Sequence, residues 1–426
     1  MNEYVDHFQK VLSFLREHQN LVDCHLVDFI TDNLWEKCLP EKLRLQLQET
    51  KLTNYLKNKR MQDDIGTELH NFLKCAKSLA MDACPFLLEL KDIPAFLSDH
   101  CNIKLHPNEG NNNKGKFEFM KNKKRHEVEI LAGIISKLSQ LNSSIVIDIG
   151  AGKGYLSTYI SENYGIPVLA IDSSKTCHNG SLKRQQLMRK KNAQSTSLVH
   201  YLVHHVNENT DYFKLIKENC PNYEQWSNVI LTGLHTCGSL SLAILRTFIN
   251  SEQIKSLCVV SCCYHLTQEC LNGQYEFSKN ARMLAQQSME RISKKEESLS
   301  PSLFYRAVLQ VLLQSMGKSE IRIGRGAPLK NFPTYAIWAL KKIGIHSEEI
   351  PSEKELEDLY TNYIELEWKM NIFQLLRVYM GSVLEAAIQL ERVIYLQQSK
   401  QCSKAAIVQL FNPVLSPRCY AIIALK

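Results

Sequence analysis

The chain has no apolar run approaching the roughly 18 residues that a membrane-spanning helix needs. Its first residues, M-N-E-Y-V-D-H-F-Q-K, lack the basic start and apolar core of a secretory signal. A membrane or secreted protein is therefore not expected. Cysteine is present at 14 positions, but without the dense, regular spacing of a small disulfide scaffold. Mostly free thiols in a reducing compartment, cytoplasm or nucleus, are the expectation. Charge shows no strong excess of either sign: a formal net charge of +7 suits an anionic partner such as RNA without requiring one. What remains is a globular chain of 426 residues, long enough for about two to three domains.

The stretch from Ile145 to Asp172 organises the rest. Ile145, Val146 and Ile147 form a β-branched apolar run suited to a strand buried on both faces. The run ends in Asp148 and then Gly150, Gly152 and Gly154, where the missing Cβ lets the backbone turn sharply and approach a ligand. Tyr155, Leu156, Tyr159 and Ile160 then fall at helical spacing, so the turn leads into a helix N-terminus. A second apolar strand, Pro167 to Ile171, ends in Asp172, 22 positions after Gly150. An acid at that strand end holds ribose hydroxyls in Rossmann-like folds. The dinucleotide fingerprint G-x-G-x-x-G requires its third glycine at 155, which is tyrosine here. The actual spacing, D-x-G-x-G-x-G, resembles the first motif of class I S-adenosylmethionine-dependent methyltransferases. That resemblance implies that Asp148 serves the methionine end of the cofactor and Asp172 its ribose.

Along the chain, residues 1–106 read as a helical N-terminal domain, with apolar residues at helical spacing in Tyr4, Phe8, Leu12 and Leu15 and in Leu69, Phe72, Leu73 and Ala76. Trp35 reads as core, with recognition as the alternative. Residues 107–118, rich in Asn and Gly, read as a linker. The core is expected at 119–267, opening with Lys121, Lys123, Lys124 and Arg125 on an amphipathic helix. Those cations suit either a solvated helix end or a phosphate. After Asp172 comes a basic helix, Ser181 to Lys191, then a third strand, Leu198 to Val203. The pair His204-His205 beyond it reads as surface, and Asn207 is placed to approach an adenine. Residues 268–403 read as a helical insertion. Residues 404–426 read as two strands joined by a short connection, hence an antiparallel pair completing the core sheet.

The fourth strand, Val229 to Leu234, ends in H-T-C-G-S-L-S, and the fifth, Leu257 to Ser261, ends in C-C-Y-H. In an open doubly wound sheet both ends face the crevice of the glycine loop. His235, Ser261, Tyr264 and His265 are therefore the residues expected to position a methyl acceptor. The S-C-C-Y at Ser261 to Tyr264 stands where amine methyltransferases carry [DNS]-P-P-[FYW], but with cysteine in place of both prolines. Zinc is a rival reading, since His235, Cys237, Cys262, Cys263 and His265 supply enough ligands. They come as H-x-C and C-C-x-H rather than C-x-x-C pairs, and buried strand-end thiols with hydrogen-bonded histidines explain them better than zinc does. No metal is assigned on sequence.

Over nearly its full length the chain resembles the methyltransferase-like protein 25 group, also labelled ribosomal RNA adenine dimethylase domain-containing proteins. The resemblance rests on V-D-F-I-T-D-N-L-W, K-K-R-H-E-V, V-I-D-I-G-A-G-K-G-Y-L-S, L-H-T-C-G-S-L, V-V-S-C-C-Y-H-L and L-E-A-A-I-Q-L-E-R-V-I-Y-L-Q. It implies a class I, Rossmann-like α/β sheet of seven strands with an antiparallel terminal hairpin, and methyl transfer from S-adenosyl-L-methionine. H-x-C-G followed by C-C-x-H is also similar to the tRNA 2′-O-methyltransferases of the acceptor stem, which favours RNA, rRNA or tRNA, as substrate. A Lys or Arg protein methyltransferase and a non-catalytic cofactor-binding scaffold are the alternatives.

Overall fold

The computed structural model describes residues 2–49, 67–101, 120–141, 144–191, 198–222, 225–267, 269–271, 273–287, 301–318, 321–324 and 326–426. The linker expected at 107–118 lies outside them. The chain divides into two compact units, one of Met1–Leu12, Met81–Ser288 and Leu384–Lys426, the other of Ser13–Ala80 and Met289–Val383. The N-terminal segment and the insertion each contribute to both units, so this division cuts across the blocks visible in the sequence.

The first unit is built on one sheet. Its strands are β1 (Leu87–Glu89), β2 (Ser144–Ile149), β3 (Val168–Asp172), β4 (Val199–Val203), β5 (Asn228–Cys237), β6 (Ile254–Cys262), β7 (Lys404–Gln409) and β8 (Tyr420–Leu425). Their order across the sheet is β1-β7-β8-β6-β5-β2-β3-β4. β2 to β6 run parallel, while β8 is antiparallel to both β6 and β7. All six residues of β2 are buried, as a β-branched strand covered on both faces should be. The helix Asn122–Leu141 buries Val128, Leu131, Ile134, Ile135 and Leu138, the stripe its spacing predicts, against β5 and β6.

The sheet has eight strands, one more than the sequence led us to expect. The additional strand, β1, lies within the segment read as wholly helical and pairs parallel with β7, Leu87 opposite Ile407. Three residues are too few to show a period-2 pattern, so tertiary pairing decides their state. The pairing covers an edge of β7 that would otherwise offer unpaired backbone groups.

From β2 the chain winds outward through β3 to β4, then returns to the other side of β2 with β5 and β6. The order therefore reverses between β2 and β5, and the crevice outside their carboxyl ends is where such sheets bind ligands.

The second unit is helical and packs around aromatic side chains. Phe332 and Tyr360 stack at 5.6 Å between ring centroids, with Tyr305 edge-on to both. Trp35 is buried at 3 % exposure and meets Trp368 edge-on, which places it in the core.

Candidate active site at the carboxyl ends of the strands

A cavity of about 740 Å³ opens at the switch point, bounded by residues that follow five strands in turn. Ile149 and Gly150 come from the end of β2, and Ile171, Asp172 and Ser173 from β3. His204 to Asn209 follow β4, Cys237 to Leu240 close β5, and Leu266 and Glu269 follow β6. The walls are apolar at Ile149, Ile171, Val206, Leu240 and Ala243, and polar at Asp172, Asn207 and Ser239 and at the charged trio Glu208, Arg246 and Glu269. A few convergent polar groups in an apolar cleft suit a small cofactor.

The glycine loop is held by hydrogen bonds to the end of β3. Gly150, Gly152 and Gly154 all adopt positive φ, at 72°, 59° and 67°. The Gly152 amide donates to Asp172 Oδ2 at 2.8 Å, and the Ser174 amide donates to Oδ1 of the same carboxylate at 2.8 Å. Each carboxylate oxygen keeps lone-pair capacity for a further donor. Gly154 caps the helix Tyr155–Tyr164, and its carbonyl accepts from the Arg184 guanidinium at 2.6 Å. Arg184 and Lys124 lie over the ring of Tyr155 at 4.6 and 4.8 Å from its centroid.

Of the six cofactor residues expected from sequence, Gly150, Asp172 and Asn207 line the cavity, whereas Asp148, Gly152 and Gly154 do not. Asp148 is 1 % exposed, and its Oδ2 accepts from Ser157 Oγ at 2.5 Å, tying β2 to the helix after the loop. Burial raises the Asp148 carboxyl to about 6 against the lowering effect of Ser157. The Asn207 side chain caps its own turn, Oδ1 accepting from the Asn209 amide at 2.9 Å.

None of the four acceptor residues expected from sequence is among those lining the cavity. His235 is half-exposed, with Nε2 at 3.5 Å from Glu127 Oε2. Burial works to raise the Glu127 carboxyl, but His235, Ser416 and Lys123 together hold it below the usual range. Ser261 is buried within β6 opposite Thr236. His265 Nδ1 is met by Gln286 Nε2 at 2.5 Å. Tyr264 is fully enclosed: its hydroxyl donates to Glu385 Oε1 at 2.7 Å and accepts from Gln389 Nε2 at 3.0 Å. Arg392 and Arg418 stand 5.4 and 5.6 Å from its ring centroid. In this arrangement the ring anchors the helix Glu367–Gln397 and has no face open to an incoming base.

The sequence reading took His204 and His205 for surface; His205 is exposed and His204 partly so, and both border the cavity. It missed Arg246, which lines the cavity and pairs with Glu208 at 3.0 Å and Glu269 at 2.6 Å, two further lining residues. The rule that ligands gather at strand carboxyl ends, applied to β4 as it was to β5 and β6, finds the histidines. No local signal joins Arg246 to Glu208 and Glu269. The basic start of the helix Asn122–Leu141 is largely paired within that helix, Lys123 with Glu127 at 3.6 Å and Arg125 with Glu129 at 3.2 Å.

Three thiols meet where β5 and β6 end. Cys237 Sγ lies 3.0 Å from Cys262 Sγ, with Cys263 Sγ beside them. The hydrogen bond with Cys262 depresses the Cys237 thiol to about 6, while the same contact, with burial, raises Cys262.

Residues 123–270 match the family model described as a methyltransferase domain. Among curated proteins the chain is similar to the human "Probable methyltransferase-like protein 25", 26 % identical over 98 % of this chain and 96 % of that one. It is likewise similar to the mouse protein of that name, 25 % identical over 99 % and 96 %. Among solved structures it matches the plantazolicin methyltransferase BpumL in complex with SAH at 12 % identity, covering 74 % of this chain and 95 % of that chain, with a TM-score of 0.22. It also matches coclaurine N-methyltransferase bound to N-methylheliamine and SAH at 11 % identity, covering 84 % and 100 %, with a TM-score of 0.25. Superpositions at these scores lend no residue a role. Over residues 123–270 the chain matches a methyltransferase domain, it carries the sheet order expected of a class I fold, and it is similar over nearly its whole length to proteins named probable methyltransferase-like protein 25.

Proposed function

We propose that the protein transfers a methyl group from S-adenosyl-L-methionine to RNA. The observation that carries the first half is the placement of Asp172 and Gly150 side by side in a cleft at the sheet's switch point. In this reading the ribose diol donates to the free lone pairs of Asp172. The adenine lies between the apolar walls near Val206, with Asn207 at its edge. Gly150, Cys237 and Gly238 would border the methionine end, where the cofactor would supply its methyl group. Methyl transfer then requires little beyond alignment of a nucleophile with the sulfonium carbon and exclusion of water. Where the acceptor must lose a proton, His235 at the end of β5, oriented by Glu127, is the base proposed.

RNA is favoured by the helix Lys175–Lys191, which starts just beyond Asp172 and contains basic residues but no acidic one. Lys175, Lys183 and Lys190 are exposed on it, and the Lys153 side chain lies along it at Gly180. Such an acid-free cationic track beside the cavity suits a phosphate backbone. The rim also carries Glu208 and Glu269 against a single Arg246, which would suit a Lys- or Arg-bearing protein acceptor. Thirteen cysteines are free thiols, which supports a reducing compartment, cytoplasm or nucleus, as part of this reading.

Isothermal titration with the methyl donor tests the first half: heat of one-to-one binding is expected, lost in Asp172→Ala. No heat from folded protein overturns it. Incubation with radiolabelled donor and a cell extract tests the second: label is expected in the RNA fraction, and label confined to protein supports the protein reading instead.

A further inference from the structure

Two backbone irregularities bring three sulfurs together. β5 carries one more residue than β6 between Gly233 and Thr236: Gly233 pairs with Val259, but Thr236 pairs with Ser261 and Cys237 with Cys262. Without that bulge Cys237 would stand opposite Cys263, with the strand's alternation reversed. Immediately after β6, Cys263 takes the left-handed conformation, φ 44° and ψ 47°. For a residue with a Cβ this costs roughly 1–2 kcal/mol. The other non-glycine residues with positive φ among those described are Asn33 and Asn222, a residue type that tolerates it. The turn gathers the side chains of adjacent Cys262 and Cys263, which a continuing strand would send to opposite faces. The Sγ atoms of Cys237, Cys262 and Cys263 consequently all lie within 4.8 Å of one another.

We propose that Cys237, Cys262 and Cys263 form a three-thiolate site for a zinc-class ion whose fourth position opens toward the cavity. Sulfurs bound to tetrahedral zinc at about 2.3 Å stand roughly 3.8 Å apart. The observed separations, 3.0 Å for Cys237–Cys262 and no more than 4.8 Å for the other pairs, need shifts of about 1 Å or less to reach that spacing. The neighbouring histidines are engaged elsewhere, His235 by Glu127 and His265 by Gln286, so the protein supplies three ligands. Three thiolates around a dication leave one negative charge, and cations stand ready for it. Arg392 acts electrostatically on Cys262 and Arg418 on Cys263. Arg392 is 2 % exposed and has no partner at Nε or Nη1 among the described residues. Because Cys237 itself lines the cavity, the open position accepts a small ligand from that side, a water, an imidazole or a thiol. The test uses no methyl donor, so its failure is distinguishable from failure of the proposed methyl transfer.

Reduced, metal-stripped full-length protein is titrated anaerobically with Co²⁺ and then Zn²⁺. One Co²⁺ per chain is expected, with a thiolate-to-metal charge-transfer band and visible bands of tetrahedral intensity, erased by stoichiometric Zn²⁺ and shifted by added imidazole. Cys237→Ser, at an exposed position, and Cys263→Asn, which keeps the left-handed turn, should each weaken zinc binding roughly tenfold or more. Cys75→Ser, exposed and in the other unit, should leave it unchanged. Circular dichroism confirms that each variant is folded. The proposal is overturned if folded wild-type protein gives no such band, or if the band survives both variants. Isolation of a Cys237–Cys262 disulfide whose reduced form binds no metal would equally reject it, and bands indifferent to imidazole would refute the open position.

Discussion

The backbone amide of Gly152 donates to Oδ2 of Asp172 at 2.8 Å, so the glycine loop after β2 and the end of β3 are fastened by one carboxylate. The same side chain accepts from the Ser174 amide through its other oxygen. Asp172 is thereby both a wall of the cavity and the clasp of the loop that forms the neighbouring wall.

Asp172→Asn should damage both functions at once. Asparagine keeps one accepting oxygen but replaces the other with an NH2 group, which only donates, so one of the two backbone donors is left facing an N–H group. A lost and partly buried hydrogen bond of this kind costs about 1–3 kcal/mol. Thermal melts should show that loss, and calorimetry should show donor affinity falling further than in a variant of similar stability elsewhere. Unchanged stability would mean that the clasp is not formed in solution.

Asp148 gives the domain a particular pH dependence. Burial raises its carboxyl from 3.8 to about 6, so the folded state binds this proton more tightly than the unfolded chain does. The resulting stabilisation is complete below about pH 4 and disappears as pH rises through about 6, a contribution on the order of 3 kcal/mol. Asp148→Asn, which imitates the protonated form, should show a flatter melting temperature between pH 4 and 6 than the wild type. The difference between the two profiles isolates this group from the other carboxylates, and parallel profiles would refute the assignment.

Tyr264→Phe separates two roles for one ring. As an anchor, the hydroxyl joins Glu385 and Gln389 across 121 and 125 positions of sequence, and its removal leaves the Gln389 amide unsatisfied. Stability should fall by about 1–2 kcal/mol with cofactor affinity unchanged. Were the ring instead stacked on an acceptor base, the phenylalanine variant would keep its stability and acceptor KM would stay near wild type.

These residues show what the sequence could and could not disclose. Ile145 to Asp172 displays its strands, turn and second acid because each signal is local: an apolar run, positive-φ glycines, a strand-terminal carboxylate. The terminal hairpin is legible for the same reason. Tyr264 was misjudged because its partner Glu385 lies on a distant helix, and nothing near it distinguishes an anchored ring from a stacking one. β1 was missed because three residues carry no period. His204 and His205 were read as surface without regard to their place after β4, which sets them at the cavity's border.

Gly233 marks where local reading came closest to the hidden detail, since an isolated glycine inside a strand pattern signals a bulge or a close backbone approach. Both occur here: a Cβ at Gly233 would stand 2.5 Å from Thr236 Cγ2 and 2.8 Å from the Ile149 carbonyl oxygen. Gly233→Ala should therefore force β2 and β5 apart or flatten the bulge, at a cost of about 1–3 kcal/mol. Because the bulge also sets Cys237 opposite Cys262, thiol pairing should suffer with stability. Thr236→Ser removes the obstructing methyl but keeps the hydroxyl that donates to the Val260 carbonyl at 3.0 Å. The double variant should recover only part of the loss, since the Ile149 carbonyl stays in place. Full recovery would show that the backbone contact is not limiting, and no loss in the single variant would show that the bulge does not need glycine.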